Sequence, residues 1–149
     1  MLCGNQIRVI DLLPGTGDAA LDCTVRIVSL DDKPHYEALS YVWGTSKKCK
    51  TIKAGDKQLP ITDNLHNALF RLRRLDTVRT LWADQICIDQ WNVSEKNHQV
   101  GLMRHIYRSC EHCVIWLGEF SSGSSSLTQA AIRKEAKRSA TPCNSGPSL

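Results

Sequence analysis

Four acidic side chains lie within or next to apolar runs typical of β-strands, where they are placed to do chemistry. Glu37 lies inside one run, Asp84 and Asp89 follow two others, and Glu119 comes directly after a fourth. A carboxylate at the end of a strand can contact a ligand and stabilise positive charge that develops on it. Each acid also has a structural alternative. Glu37 would meet solvent or a neighbouring Lys or Arg, the aspartates would accept backbone N–H groups, and Glu119 would form a turn.

Trp43, Gly44 and Gln90 are the candidate ligand-binding residues beside these acids. Trp43 ends a strand-like run and is followed by Gly44, so its indole can stack on a planar ligand; packing in the core or at its rim is the alternative. Gln90 follows Asp89 in the same polar loop. We therefore expect the ligand-binding residues to face the candidate catalytic carboxylates, which are Asp84, Asp89 and Glu119.

The elements that must position these groups follow from hydrophobic patterning. Residues 81–118 read as strand, acidic loop, helix and strand, which is the outline of a βαβ unit. Residues 7–13, 22–30 and 36–43 predict three further strands. Residues 49–61 predict a β-hairpin at the sheet edge, with Pro60 ending its second arm.

Two helices are predicted from N-caps and an amphipathic spacing. Thr62 would cap the first, which runs to about Leu75, and Ser94 would cap the second. Gly101 falls on the exposed side of the second helix, where it costs about 1 kcal/mol relative to alanine. Only the close approach of another group would explain it. The predicted buried face of the second helix contains Val100, Met103, Tyr107 and Cys110, flanked by Leu102 and Ile106.

Strands that alternate with helices in the C-terminal half predict an α/β fold with a parallel sheet. Ligands of such sheets bind outside the carboxyl ends of the strands. That rule gathers residues 43–45, 84–90 and 118–119 on one rim, which is therefore the predicted site.

Composition narrows the functional classes. The 149 residues, with 42% hydrophobic and 23% charged side chains and a net charge of +4, are typical of one globular domain. The scattered basic residues do not indicate nucleic-acid binding, and no apolar run is long enough to span a membrane. Without an export signal we expect a cytoplasmic protein whose seven cysteines are reduced thiols. The CxxC from Cys110 to Cys113 lacks further ligands, so we predict packing and no metal site.

Three blocks of the sequence resemble the fungal heterokaryon incompatibility (HET) domain family. They are residues 36–44 (YEALSYVWG), residues 59–65 (LPITDNL) and residues 81–90 (LWADQICIDQ), the last continuing through the following helix to residues 114–118 (VIWLG). The similarity covers about residues 8–119. We therefore predict a HET-like domain over residues 1–119, followed by a flexible low-complexity tail over residues 120–149.

The resemblance implies a signalling and interaction module in fungal non-self recognition and programmed cell death, acting through protein partners. HET domains also resemble TIR domains, so the expected fold is a TIR/flavodoxin-like, mostly parallel sheet flanked by helices. Some TIR domains cleave NAD at the nicotinamide–ribose bond through an oxocarbenium-like state. The alternative function is thus a NAD glycohydrolase, with NAD as substrate, no cofactor, and Asp84, Asp89 or Glu119 as the stabilising carboxylate.

Overall fold

The computed structural model describes residues 2–44 and 50–119, in which seven strands form one sheet and three α-helices flank it. The strands are β1 (Gln6–Leu12), β2 (Asp22–Ser29), β3 (Glu37–Tyr41), β4 (Lys50–Ala54), β5 (Lys57–Ile61), β6 (Arg79–Trp82) and β7 (His112–Trp116). The helices are α1 (Asp63–Leu72), α2 (Asp84–Cys87) and α3 (Val93–Ser109). The predicted tail, residues 120–149, lies outside the described residues.

The sheet is mixed, with the strand order β5-β4-β2-β1-β6-β3-β7. β6, β3 and β7 run parallel to one another and β2 runs parallel to β4, whereas β1 is antiparallel to both β2 and β6. The predicted α/β sheet flanked by helices is confirmed, but the expectation of a mostly parallel sheet is wrong. Only residues 13–21 connect β1 to β2, and such a short helix-free connection joins antiparallel strands, because parallel strands need a longer crossover.

The predicted β-hairpin at the sheet edge is confirmed as the antiparallel pair of β4 and β5. Gly55 adopts a φ of +61° in its turn, a conformation that glycine adopts without steric cost. The prediction that Pro60 ends the second arm is wrong, because Pro60 lies inside β5 and pairs with Thr51. An edge strand tolerates proline because one side of its backbone has no hydrogen-bonding partner.

The predicted βαβ unit over residues 81–118 is formed by β6, α3 and β7, and its two strands run parallel on either side of β3. The chain leaves β3 through the hairpin and α1 to reach β6 on one side, then passes through α2 and α3 to β7 on the other. The side chain of Thr62 accepts a hydrogen bond from Leu65 N at 3.4 Å, which confirms it as the N-cap of α1.

α3 begins earlier than its sequence predicts. Asn92, rather than Ser94, is the N-cap, and its side chain accepts a hydrogen bond from Glu95 N at 3.1 Å. The predicted buried face is also wrong in part, because Val100 is 50% exposed. The buried positions of α3 are Glu95, Gln99 and Ile106. The two polar ones are tolerated there because their side chains find partners near the N-terminus of the chain.

The hydrophobic core lies between the sheet and the helices. Trp82 of β6 is fully buried and packs edge-on against Tyr107 of α3, with 5.6 Å between ring centroids. The hydroxyl of Tyr36 donates a 2.6 Å hydrogen bond to the carbonyl of Ile106. Within the described residues no helix is both long and apolar enough to cross a membrane.

Candidate functional site

Asp84 and Trp43 meet at the carboxyl ends of β6 and β3, as the strand-end rule predicts. Trp43 Nε1 donates a 2.8 Å hydrogen bond to Asp84 Oδ2, and the backbone N–H of Gln85 donates to Asp84 Oδ1 at 2.7 Å. Gly44 follows Trp43 with a φ of +69° and is exposed. Asp84 therefore receives a donor on each carboxylate oxygen, and the Trp43 indole edge is fixed against it.

Tyr41 adds a buried hydroxyl to this corner. Its oxygen is inaccessible and has no hydrogen-bond partner within the described part of the chain. Burial and the nearby negative charge of Asp84 both raise the pKa of Tyr41 above its usual range. The phenol therefore stays protonated, and it is a potential donor beside the Asp84 carboxylate.

Gln85 links the short helix α2 to the start of α1. Its side-chain oxygen accepts a 2.9 Å hydrogen bond from the backbone N–H of Thr62, the residue that caps α1. Gln85 is 6% exposed, so this bond forms away from water. The loop after β6 is thereby attached to the helix that precedes β6.

Gln90 and Asp89 close the loop on itself. Gln90 Nε2 donates to the carbonyls of Asp84 at 3.0 Å and Ile88 at 3.3 Å. Asp89 Oδ1 accepts from the backbone N–H groups of Trp91 at 3.0 Å and Asn92 at 3.3 Å. Asp89 therefore accepts backbone N–H groups, which was the structural alternative to a catalytic role, and the turn that it stabilises leads into the N-cap of α3.

Glu95 anchors the same loop to the N-terminal strand. Its carboxylate forms a bidentate ion pair with the Arg8 guanidinium, in which Arg8 Nη2 donates to Oε2 at 3.1 Å. It also accepts the backbone N–H groups of Leu2 at 3.4 Å and Asp89 at 3.3 Å. The Arg8 hydrogen bonds lower the pKa of Glu95 to about 2, although its side chain is only 2% exposed.

Glu119 lies with α1 rather than with the two aspartates. Arg71 Nε donates to Glu119 Oε1 at 2.9 Å, and both side chains are about half exposed. On the same side of α1, Asn64 donates to the carbonyl of Val42 at 2.5 Å and accepts from Trp116 Nε1 at 2.9 Å. The chain that leaves β7 is therefore held along α1.

Trp91 is the side chain that the loop presents to solvent. It is 90% exposed, and Val93 at the start of α3 is 70% exposed. In the sequence Trp91 lies in a polar break between two patterned segments, so pattern reasoning assigned it no role. An isolated tryptophan in an otherwise polar turn was the available signal.

A second polar cluster lies at the opposite end of the parallel strands. Glu37 is 7% exposed and forms an ion pair with Arg79, which confirms the prediction that it meets a neighbouring Lys or Arg. Arg79 also donates to the carbonyl of Leu72 at 3.0 Å. Glu37 and Arg79 line an open pocket of about 210 Å³ that also includes His112. Sequence reasoning did not predict this pocket, which lies away from the strand ends where it placed ligands.

The arrangement brings Trp43, Asp84 and Gln90 together and gives Asp89 and Glu119 different partners. Each of the three carboxylates accepts a hydrogen bond from a neighbouring donor. Their role in catalysis stays a prediction. No group of three or more potential metal ligands occurs among the residues described.

Comparison with known proteins identifies relatives. Residues 36–147 match a family described as Heterokaryon incompatibility protein (HET). The chain is also similar to Heterokaryon incompatibility protein 6, OR allele, of Neurospora crassa, with 37% identity over 142 residues. That alignment covers 85% of this chain and 21% of the relative, so the chain spans about a fifth of the curated relative it matches. No solved structure matches the chain.

Proposed function

Since this chain belongs to the heterokaryon incompatibility (HET) family, as its three sequence blocks predicted, we propose that it is an interaction and signalling module of fungal non-self recognition. In this proposal it promotes programmed cell death by engaging protein partners in the cytoplasm, and it binds neither nucleic acid nor membranes. The similarity to Heterokaryon incompatibility protein 6 supports the process in which the chain acts.

The observation that supports an interaction role is the loop between β6 and α3, whose carboxylates are hydrogen-bonded within the chain while its tryptophan is exposed. Asp84, Asp89 and Glu95 all accept hydrogen bonds from within the chain, so the loop is fixed in one conformation. The same loop leaves Trp91 90% exposed. A rigid backbone that presents a large aromatic side chain is suited to binding a protein, because little conformational freedom is lost on association.

Controlled expression in a filamentous fungus tests this proposal. We expect induction of the 149-residue chain to cause cell death, measured by uptake of a vital dye and loss of colony growth. Glu95→Ala is the control for loss of the folded state. It removes the partner of Arg8, so it should destabilise the chain and abolish cell death. Full viability at high accumulation of folded protein, in both compatible and incompatible strain backgrounds, would rule out the proposed function.

A TIR-like NAD glycohydrolase is the second candidate, and the order β6-β3-β7 favours it. If these three strands are numbered by their order along the chain, their spatial order is 2-1-3, as at the start of a flavodoxin-like sheet. Ligands of such sheets bind at the carboxyl ends of the strands. Asp84 and Trp43 lie at these ends. In this proposal Asp84 stabilises the oxocarbenium-like state, and the Trp43 ring stacks on nicotinamide or adenine.

Nicotinamide release decides between the two candidates. Purified chain at high concentration is incubated with NAD, and free nicotinamide is separated by chromatography. If the chain is a glycohydrolase, we expect nicotinamide release that Asp84→Asn lowers by at least tenfold. Ile27→Ala, at a 58% exposed position of β2, is the matched control and should leave the release unchanged. Absence of release from folded wild-type protein would remove this candidate and leave the interaction role standing.

A further inference from the structure

One side of α3 is exposed along its length. Val93, Asn97, Val100, Gly101 and Arg104 recur at helical spacing, and together we call them the outer face of α3. Val93 is 70% exposed and Val100 is 50% exposed. These apolar side chains point away from the core that the opposite side of the helix contacts through Glu95, Gln99 and Ile106.

Gly101 is the residue of this face that the fold itself does not explain. It lies in the middle of a 17-residue helix and has no positive φ that would require glycine. A Cβ built on it meets nothing within 4 Å, so no internal contact excludes a side chain. Glycine in a helix interior is destabilising, and its usual packing role is to let another backbone approach closely. Within the described residues no such neighbour is present.

Trp91 lies in the turn directly before the helix and is 90% exposed. The Asp89 side chain accepts the backbone N–H of Trp91, and the Asp89 N–H donates to the buried Glu95 carboxylate. The position of Trp91 is therefore tied to the same helix that carries the face. Exposed tryptophans at fixed positions are the residues that most often dominate the free energy of binding at protein interfaces.

The charge of α3 indicates what kind of helix would pack there. Lys96, Arg104 and Arg108 are exposed, whereas Glu95 is the only acid of the helix and is buried against Arg8. A second copy of the chain would place these cations opposite one another, which is unfavourable. An acidic partner would complement them.

We propose that the outer face of α3, with Trp91, is a docking site for an acidic amphipathic helix of a partner protein. The helix crosses α3 at Gly101, where the missing side chain brings the two axes close. Its apolar side chains cover Val93, Val100 and Trp91, and its carboxylates face Arg104. This inference rests on the interaction role proposed above and assigns its surface.

Substitution of Gly101 separates binding from folding. Because the position is open, Gly101→Ala should raise the Tm of the isolated chain by roughly 2–6 °C, and Gly101→Leu should not lower it. Both should reduce induced cell death, Gly101→Leu by at least tenfold, because the added side chain meets the partner helix. Ile27→Ala, an exposed aliphatic position on β2, is the matched control and should leave cell death unchanged.

The outcomes of this substitution are distinguishable. Wild-type chain that causes no death contradicts the proposed function as a whole. Wild-type death that Gly101→Leu leaves intact contradicts the docking site alone. A stable Gly101→Leu chain that has lost killing supports it.

Site-specific cross-linking identifies the occupant. A photoreactive phenylalanine derivative replaces Val100 in the full chain in fungal cells, and the same group at Ile27 is the control. We expect position 100, but not position 27, to cross-link to a segment of another protein whose sequence is amphipathic, helical and rich in Asp and Glu. Cross-links to another copy of this chain, to a basic or non-helical segment, or equal yields at both positions would overturn the proposal.

Discussion

The two sides of the segment from Asp84 to Arg104 differ in which side chains they bury. On the inward side, polar side chains are buried, and Glu95 among them is hydrogen-bonded to Arg8 and to two backbone N–H groups. On the outward side, apolar groups are exposed, as Trp91 and Val93 are. Composition alone would predict the reverse arrangement, in which charge faces water and tryptophan is buried.

The difference shows how this segment divides stability from recognition. The buried Glu95 carboxylate favours one loop conformation, because an alternative conformation would leave it and its backbone N–H donors without partners. Exposed apolar groups contribute little to folding, since they gain no burial. Substitutions on the inward side should therefore change the free energy of unfolding, and those on the outward side should change binding.

Glu95→Ala should have the largest effect of any substitution in this segment. It leaves the Arg8 charge, which is 23% exposed, without its partner and removes the acceptor of the Leu2 and Asp89 N–H groups. We expect a loss of about 3–5 kcal/mol in the free energy of unfolding, measured by urea denaturation. Glu119→Ala breaks the half-exposed pair with Arg71 and should cost less than about 1 kcal/mol. Equal losses in the two variants would refute the comparison.

Acid should weaken the inward side over a defined pH range. The pKa of Glu95 is lowered from 4.5 to about 2 in the folded chain, so the unfolded state binds its proton first as pH falls. The contribution of Glu95 is present above pH 4.5 and is lost as pH falls towards 2, about 3 kcal/mol in total. Denaturation curves at pH 6, 4 and 2.5 measure it. In Glu95→Gln this part of the pH dependence should disappear.

The sequence predicted the elements of this fold better than it predicted their pairing. Alternating and amphipathic patterns are local, so the strands, the hairpin of β4 and β5 and the Thr62 cap could be located from neighbouring residues. The antiparallel attachment of β1 to β6 could not, because nothing in residues 7–13 encodes a partner some 70 positions away. The start of α3 was misplaced because Asn92 and Ser94 are both good N-caps, and the turn made by Asp89 decides between them.

The candidate site was also predictable only in part. Asp84 and Trp43 follow strands that run parallel, and the strand-end rule brings them together from sequence alone. The Arg8–Glu95 pair joins residues 87 positions apart, and Glu95 in a first helical turn already has an explanation from the helix dipole. Its burial is a property of the tertiary fold and has no local signal.

Asp84→Asn should have an intermediate effect and should act at the strand ends. An asparagine oxygen accepts from either Trp43 Nε1 or the Gln85 N–H, and the amide that replaces the second oxygen faces the remaining donor. We expect a loss of about 1–3 kcal/mol, in the range for charge-assisted hydrogen bonds. The indole N–H resonance of Trp43 should shift and exchange faster with solvent. An unchanged Trp43 resonance would show that this hydrogen bond does not form in solution.

Trp91→Ala should change stability least, although it removes the largest side chain of the segment. The ring is 90% exposed, so truncation removes almost no buried apolar area, and the Asp89 bonds to the backbone of residues 91 and 92 remain. We expect the free energy of unfolding to stay within about 0.5 kcal/mol of wild type by urea denaturation. Trp82→Ala, in a fully buried ring of the same size, should cost about 3–5 kcal/mol. If Trp91→Ala destabilised the chain by a comparable amount, the ring would pack against the protein in solution, and the outward side would be part of the core. If stability is kept while killing is lost, the exposed tryptophan serves recognition, because no folding defect then accounts for the loss.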